Sequence, residues 1–241
     1  VFVRGDAFLA DEVRAFNTTM LHDPDVVVGA ATDEDVAAAV RYAAGNGLAV
    51  HIHATGHGAA RPVASGLMIS TRRLDRVAID AGTRRATIGA GVRWRAVIDA
   101  TAEFQLAPVT GSSVVVGAVG YTLGGGMGWL ARRYGLACDN VVAFTLVTAT
   151  GDVVRATADE HPELFWGLRG GGGNFGIVVE FEFRLHRVGT RTLVTELTFA
   201  PDDAAAALRG WRDLAAQAPR EATFTADISG GQATLGYVWV G

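Results

Sequence analysis

The sequence predicts an α+β protein with two domains. Segments rich in Val and Ile alternate with amphipathic helical segments from residue 26 onward. The 241 residues amount to roughly 1.6 domains of average size. The composition changes near residue 189, which predicts one complete domain over residues 1–188 and the start of a second over residues 189–241.

The order of elements in the first domain begins as β-α-β. A short helix is predicted over residues 6–20, and a strand begins at the β-branched run Val26-Val27-Val28. Thr32 is a suitable N-cap for the next helix, which should end at the Gly-Asn-Gly run 45–47. A strand follows at 48–53, so two parallel strands should be joined by a helical crossover. The other predicted elements of this domain are strands at 67–70, 77–80, 85–89, 141–149, 152–155 and 177–185 and helices at 93–103 and 162–168.

The second domain reads as an antiparallel sheet with one helix. A strand at 193–199 precedes an alanine-rich helix at 201–217, and two more strand-like segments follow. This β-α-β-β pattern ends at Gly241 within a sheet, which predicts an incomplete domain.

Composition and charge exclude several classes of function. The chain carries arginine but no lysine, which excludes a Walker-A phosphate loop and a Schiff base. The net charge of −4 argues against a nucleic-acid partner, and no window of 18 apolar residues predicts a membrane span. The single cysteine, Cys138, excludes an internal disulfide and is compatible with a cytoplasmic location. No feature predicts an oligomeric state.

Three histidines raise the alternative of a metal site. His51 and His53 lie on one face of a predicted strand, and His57 follows four residues later. Metal-dependent hydrolases with such a pair need further ligands, often a lysine, and the chain has none. We therefore predict no metal, and the histidines are also explained as ordinary polar positions of a strand.

Two glycine-rich stretches suggest contact with a phosphate group. Residues 171–176 fit the dinucleotide pattern G-x-G-x-x-G by letter, but a helix precedes them and a strand follows, which is the reverse of the required order. The glycines between 111 and 128 let the backbone approach a ligand closely, and free N–H groups there can hold a pyrophosphate. A tight helix-packing turn explains the same glycines equally well.

Four motifs in order resemble one family. They are Ala54-Thr55-Gly56-His57-Gly58, then 117–126 (GAVGYTLGGG), 133–141 (RYGLACDNV) and 163–176 (ELFWGLRGGGGNFG). Together they resemble the FAD-linked oxidases of the vanillyl-alcohol-oxidase/p-cresol-methylhydroxylase type (PCMH-type), and within them the berberine-bridge-enzyme-like branch. The resemblance implies a PCMH-type FAD-binding domain of two α/β subdomains, followed by the incomplete substrate domain.

The resemblance also assigns residues to the cofactor. His57 holds the position of the histidine that is bonded to the flavin 8α-methyl group, and the loop from Ile52 to Gly58 would wrap the pyrophosphate. The cofactor-binding residues that it implies are Ile52, His53, Ala54, Thr55, Gly56, His57, Gly58, Ser113, Gly117, Ala118, Val119, Gly120, Tyr121, Met127 and Val178.

Departures from the family pattern refine this expectation. Members with a second covalent link carry cysteine where this chain has Ser113, so a single link is expected. Cys138 lies in another segment and is expected to fill the core. His53 stands where arginine is common. Tyr121 stands where some members carry histidine, so it is a candidate for a group near the flavin, or else a packed aromatic.

The implied function is that of an FAD-dependent oxidase or dehydrogenase. A hydride would pass from a small-molecule alcohol, sugar, amine or secondary metabolite to the flavin, and dioxygen would be the acceptor. The catalytic base is expected in the C-terminal part that family members have and this chain lacks. The alternative is a non-catalytic or truncated flavin-binding fragment.

Overall fold

A computed structural model describes residues 1–188 and 192–240. It contains strands, α-helices and one 3-10 turn at Ala137–Asn140. The helices are α1 (Leu9–Glu12), α2 (Asp33–Gly45), α3 (Trp94–Ala102), α4 (Ala118–Leu123), α5 (Ala131–Tyr134), α6 (Pro162–Leu168) and α7 (Pro201–Gln217). The strands are β1 (Phe2–Val3), β2 (Val26–Gly29), β3 (Val50–His53), β4 (Leu67–Ser70), β5 (Val77–Asp80), β6 (Arg85–Gly89), β7 (Leu106–Ala107), β8 (Val141–Val147), β9 (Val153–Thr157), β10 (Ile177–Arg184), β11 (His186–Arg187), β12 (Thr192–Phe199), β13 (Ala222–Ser229) and β14 (Gln232–Val240).

The first sheet has the order β1-β2-β4-β3, and its three longer strands run parallel. The predicted crossover between β2 and β3 is present, but β4 lies between the two strands and pairs with both. Helix α2 makes this crossover. Thr32 caps it by accepting the backbone N–H of Asp35, whose carboxylate in turn accepts the N–H of Thr32. The alanine-rich face of α2 packs against the buried strand β4.

The second sheet has the order β5-β6-β10-β8-β9 and is antiparallel throughout. Its core contains a row of aromatic rings, because Phe144, Phe181 and Phe183 stack along one face. At the end of this row, the ring of Trp94 of α3 packs edge-on against the ring of Phe183. Strand β10 is buried along most of its length, and its first residues reach the edge of the cavity described below.

A third sheet of order β12-β14-β13 carries α7 on one face. It contacts the preceding part of the chain through side chains that bond backbone carbonyls. Arg133 donates to the carbonyl of Val240 at 2.8 Å, and Thr223 donates to that of Trp129 at 2.7 Å. The mixture of parallel and antiparallel sheets with helices confirms the α+β class. The boundary predicted at residue 189 lies outside the described residues.

The helix predicted over residues 6–20 is wrong in extent, since only Leu9–Glu12 are helical. Long-range contacts hold the end of this helix and the segment after it: Glu12 pairs with Arg73, and the Phe16 N–H donates to the carbonyl of Thr55. Such tertiary contacts override a weak local helical preference. Conversely, α4 forms within the glycine-rich stretch, where no helix is predicted. No helix among the described residues combines the length and the apolar character that a membrane span requires.

Candidate functional site

A cavity of about 800 Å³ lies between the first and the second sheet, and residues of β3, β4 and β10 line it. Three segments from distant parts of the sequence form its walls: the loop after β3, the first turns of α4, and the beginning of β10. Among the described residues, Arg61 is the one arginine that lines it, and no carboxylate lines it. Such a cavity favours an anionic ligand over a cationic one.

The loop after β3 presents its backbone to the cavity. No backbone N–H of residues 54–58 donates to an acceptor within the described part of the chain. Gly56 has φ of +71°, and a Cβ there would lie 2.6 Å from the Cα of Ala15, so only glycine fits this turn. Free N–H groups in a turn of this kind form a concave site for an anion.

His57 is fixed by two neighbours. Its Nδ1 lies 2.8 Å from the hydroxyl of Thr55, and its ring stacks on Phe16 with centroids 3.9 Å apart. Its Nε2 is buried and has no hydrogen-bond partner among the described residues. Burial, with a smaller contribution from the charge of Arg93, lowers the pKa of His57, so the ring is neutral at neutral pH.

Tyr121 lies on α4 and also lines the cavity. Its ring packs edge-on against Trp94 and is enclosed by two glycines: a Cβ at Gly126 would lie 2.6 Å from the ring, and one at Gly111 would lie 2.9 Å from it. The hydroxyl is buried without a partner among the described residues. Burial raises the pKa of Tyr121 to about 12, so the phenol is a hydrogen-bond donor at neutral pH.

Most of the predicted cofactor residues come together at this cavity. Those that line it are Ile52, His53, Ala54, Thr55, Gly56, His57, Gly58, Gly117, Val119, Gly120, Tyr121 and Val178. Three others do not line it. Ala118 points into the core, Met127 is 79% exposed, and Ser113 lies on the exposed loop before α4. The assignment of all these residues to a cofactor remains a prediction.

The structure adds residues that the sequence predictions missed. Gly172, Gly173 and Gly176 line the cavity although their motif does not have the dinucleotide-binding order. The glycine run alone, without the condition that a helix follows it, would have predicted that these residues approach a ligand. Phe16 and Arg72 approach the loop from other segments, and no local pattern indicates either contact.

The three histidines suggested as metal ligands do not form a metal site. Within residues 1–188 and 192–240, no group of three or more His, Cys, Asp or Glu side chains could hold a metal ion. His53 is buried and interacts with the carbonyl of Arg14, and its ring lies edge-on to His22.

Comparison with known proteins identifies the class. Residues 24–157, more than half of the chain, match the family described as an FAD binding domain. The chain is 41% identical over 183 residues to (R)-6-hydroxynicotine oxidase of Paenarthrobacter nicotinovorans, covering 75% of this chain and 40% of that protein. The solved 6-hydroxy-D-nicotine oxidase from Arthrobacter nicotinovorans superposes with a TM-score of 0.89 at 32% identity, over 99% of this chain and 54% of that one. A chitooligosaccharide oxidase superposes with a TM-score of 0.90 at 27% identity, over 100% and 53%.

The fold and the cavity thus define a flavoprotein domain. The chain belongs to the FAD binding domain family, within the PCMH-type superfamily of FAD-linked oxidases. It spans between about 40% and about half of the length of these relatives.

The residues present fit an FAD. Four glycines line the cavity where a Cβ would meet no atom within 4 Å: Gly58, Gly120, Gly172 and Gly173. The backbone at these positions therefore borders open space that a side chain would fill. The unpartnered His57 Nε2 and Tyr121 hydroxyl are buried polar atoms at residues lining the same space. Buried polar atoms without hydrogen-bond partners are rare in proteins, and a bound cofactor can supply the missing hydrogen-bond partners.

Proposed function

We propose that this chain is the FAD-binding part of an oxidase or dehydrogenase that acts on a small organic substrate. The substrate class is an alcohol, a sugar, an amine or a secondary metabolite, and dioxygen is the electron acceptor. The relatives at 27% identity or more include oxidases whose names refer to hydroxynicotine and to chitooligosaccharide, which supports an oxidase acting on an amine or a sugar. Membership of the berberine-bridge-enzyme-like branch and a cytoplasmic location are part of this proposal.

One observation carries the proposal: the cavity joins free loop N–H groups to a neutral histidine. The N–H groups of residues 54–58 would hold the pyrophosphate, because they have no other acceptor among the described residues. No carboxylate of residues 1–188 and 192–240 lines the cavity, which favours the same anionic ligand. The bare backbone of Gly120, Gly172 and Gly173 would let the cofactor lie close to the chain.

We propose His57 as the residue that binds FAD covalently, through a single link to the flavin 8α-carbon. Its neutral ring keeps a lone pair, which bond formation requires. When bound, the flavin supplies hydride acceptance. A linked imidazole withdraws electron density and makes that acceptance more favourable.

Tyr121 is proposed as a second contact with the cofactor. Its protonated phenol can donate a hydrogen bond, and it has no acceptor of its own among the described residues. The catalytic base and the groups that contact the substrate are assigned to the part of the relatives' length that this chain does not span.

The test is the visible spectrum of the purified protein before and after acid precipitation. A flavin spectrum that stays with the precipitate, together with a flavin mass on the peptide containing His57, supports FAD binding and the link. His57→Ala should release the flavin into the supernatant while the native protein still binds it. Absence of flavin from the protein, and no uptake by the apoprotein, would contradict the proposal.

A flavin-binding protein without turnover is the second candidate. The oxidase and oxidoreductase names of the relatives do not favour it. Flavin reduction by any amine, alcohol or sugar, followed by reoxidation in air, would rule it out.

A further inference from the structure

The His57 ring is held from outside the cavity by a segment far away in the sequence. Phe16 stacks on it nearly parallel, at an interplanar angle of 15°, although Phe16 itself is 63% exposed. An exposed aromatic ring buries little area and adds little to the free energy of unfolding. Its ring nevertheless stacks on the His57 imidazole with centroids 3.9 Å apart, which suggests a role in positioning that side chain.

Several hydrogen bonds fix Phe16 in this position. Its backbone N–H donates to the carbonyl of Thr55 at 2.9 Å. The guanidinium of Arg72 donates to the carbonyls of Asp11 and Arg14 on one side and to that of Ala54 on the other. Segment 11–16 and the loop after β3 are thus joined at both ends.

The Thr55 hydroxyl completes the support. It lies 2.8 Å from Nδ1 of His57, so the ring has one hydrogen bond in its plane and one aromatic ring against its face. These two contacts fix the two rotations that the side chain possesses. Arg93 lines a second, smaller cavity together with Phe16 and His57, and its charge contributes to lowering the pKa of His57.

We propose that Phe16 and Thr55 are positioning residues for covalent flavin attachment, holding the His57 imidazole in the one orientation that reaches the flavin 8α-carbon. The inference rests on the proposed link at His57. In that reaction the imidazole exchanges its N–H for a bond to carbon, and one methyl C–H bond breaks. The two electrons and two protons released reduce dioxygen, the oxidant, to hydrogen peroxide. Alignment of reacting groups of this kind changes rates by orders of magnitude.

The experiment follows attachment over time in air. Apoprotein is mixed with excess FAD, samples are acid-precipitated, and the fraction carrying flavin mass on the His57 peptide is measured. Phe16→Ala should lower the attachment rate roughly tenfold, while the non-covalent dissociation constant for FAD changes little. Phe16→Tyr should restore the rate, because the stacked ring is kept. Thr55→Val should slow attachment, and Thr55→Ser should not.

Phe8→Ala is the matched control, since Phe8 is an exposed aromatic of the same region that does not contact His57. It should attach flavin at the wild-type rate. Equal rates for Phe16→Ala and wild type would overturn the inference, as would a failure of Phe16→Tyr to restore the rate. Wild-type protein whose FAD is wholly extractable overturns the link and this inference together. Wild-type protein that takes up no FAD at all contradicts the proposed function itself.

Discussion

Arg72 Nη2 lies 3.3 Å from Nε2 of His53, where the parallel strands β4 and β3 end side by side. His53 is only 4% exposed. Burial, followed by the charge of Arg72, lowers the pKa of His53 to about 4. The buried imidazole is therefore neutral at neutral pH, and Arg72 supplies the positive charge beside the loop.

The first prediction concerns stability in mild acid. In the unfolded chain the pKa of His53 returns to about 6.5, so the unfolded state binds more protons below that pH. The contribution of the neutral His53 side chain to the free energy of unfolding is complete above about pH 6.5. It is lost as the pH falls towards the folded pKa of about 4. We expect His53 to lower the free energy of unfolding by about 2 kcal/mol between pH 7 and pH 5. Urea unfolding at both pH values measures it.

His53→Gln is the comparison for this prediction. It should remove about 2 kcal/mol of the decrease measured for the wild type and leave a decrease of similar size due to His186, whose pKa burial also lowers to about 4. Equal decreases in the variant and in wild type would contradict the assignment.

The second prediction concerns the ion pair of Glu12 and Arg73. Two hydrogen bonds of 2.7 and 2.8 Å join the guanidinium to the two carboxylate oxygens, and Glu12 is buried. The hydrogen bond to Arg73 is the main cause that lowers the pKa of Glu12. Arg73→Gln leaves a buried carboxylate without its partner, which should lower the free energy of unfolding by about 2 kcal/mol. Chemical denaturation at neutral pH measures it.

Arg212→Gln is the control, because Arg212 pairs with Asp213 on an exposed helix face. Its effect should stay within about 0.5 kcal/mol. A similar loss in both variants would show that the Glu12 pair is no stronger than a surface pair.

The strands of four or more residues could be predicted from the sequence because their signals are local. The β-branched run of β2 and the alternation in β10 each define a strand within one or two residues. The helix after Thr32 was correct because capping and hydrophobic periodicity agree over the same residues. The motif around His57, which the family resemblance singled out, lines the cavity, and its role there stays a prediction.

The features of the fold and of the site that the sequence did not predict depend on contacts between residues far apart in the chain. Phe16 meets His57, and Arg72 meets His53, only once the first sheet has brought segment 11–16 against the loop after β3. No periodicity encodes such a pairing. The order of strands in the first sheet could not be predicted either. Packing, and no local pattern, decides that β4 lies between β2 and β3.

The third prediction concerns Cys138, which is 4% exposed. Burial raises the pKa of its thiol, which reduces the thiolate that reacts with disulfide reagents. Labelling by such a reagent should be at least ~100-fold slower in the native protein than in concentrated guanidinium chloride. Cys138→Ala should keep the wild-type amount of covalent flavin. Flavin mass on the wild-type peptide that contains Cys138 would make Cys138 a second attachment site and contradict the single link.

The fourth prediction concerns Tyr121 and has opposite signs for stability and for binding. In the apoprotein its hydroxyl is buried without a partner among the described residues, so Tyr121→Phe should leave the free energy of unfolding unchanged or raise it by up to about 1 kcal/mol. If the phenol donates to FAD, the same variant loses that hydrogen bond, and the dissociation constant for FAD should rise about fivefold to tenfold. Urea unfolding of apoprotein and a fluorescence titration with FAD measure the two effects.

Tyr134→Phe is the matched control for that variant, because the Tyr134 hydroxyl donates to the carbonyl of Arg187 at 3.2 Å and lies outside the cavity lining. It should lower the free energy of unfolding slightly, by about 0.5 kcal/mol, and leave FAD affinity unchanged. If Tyr121→Phe instead destabilises the apoprotein and binds FAD as tightly as wild type, the hydroxyl serves the core, and the proposed contact with the cofactor is wrong.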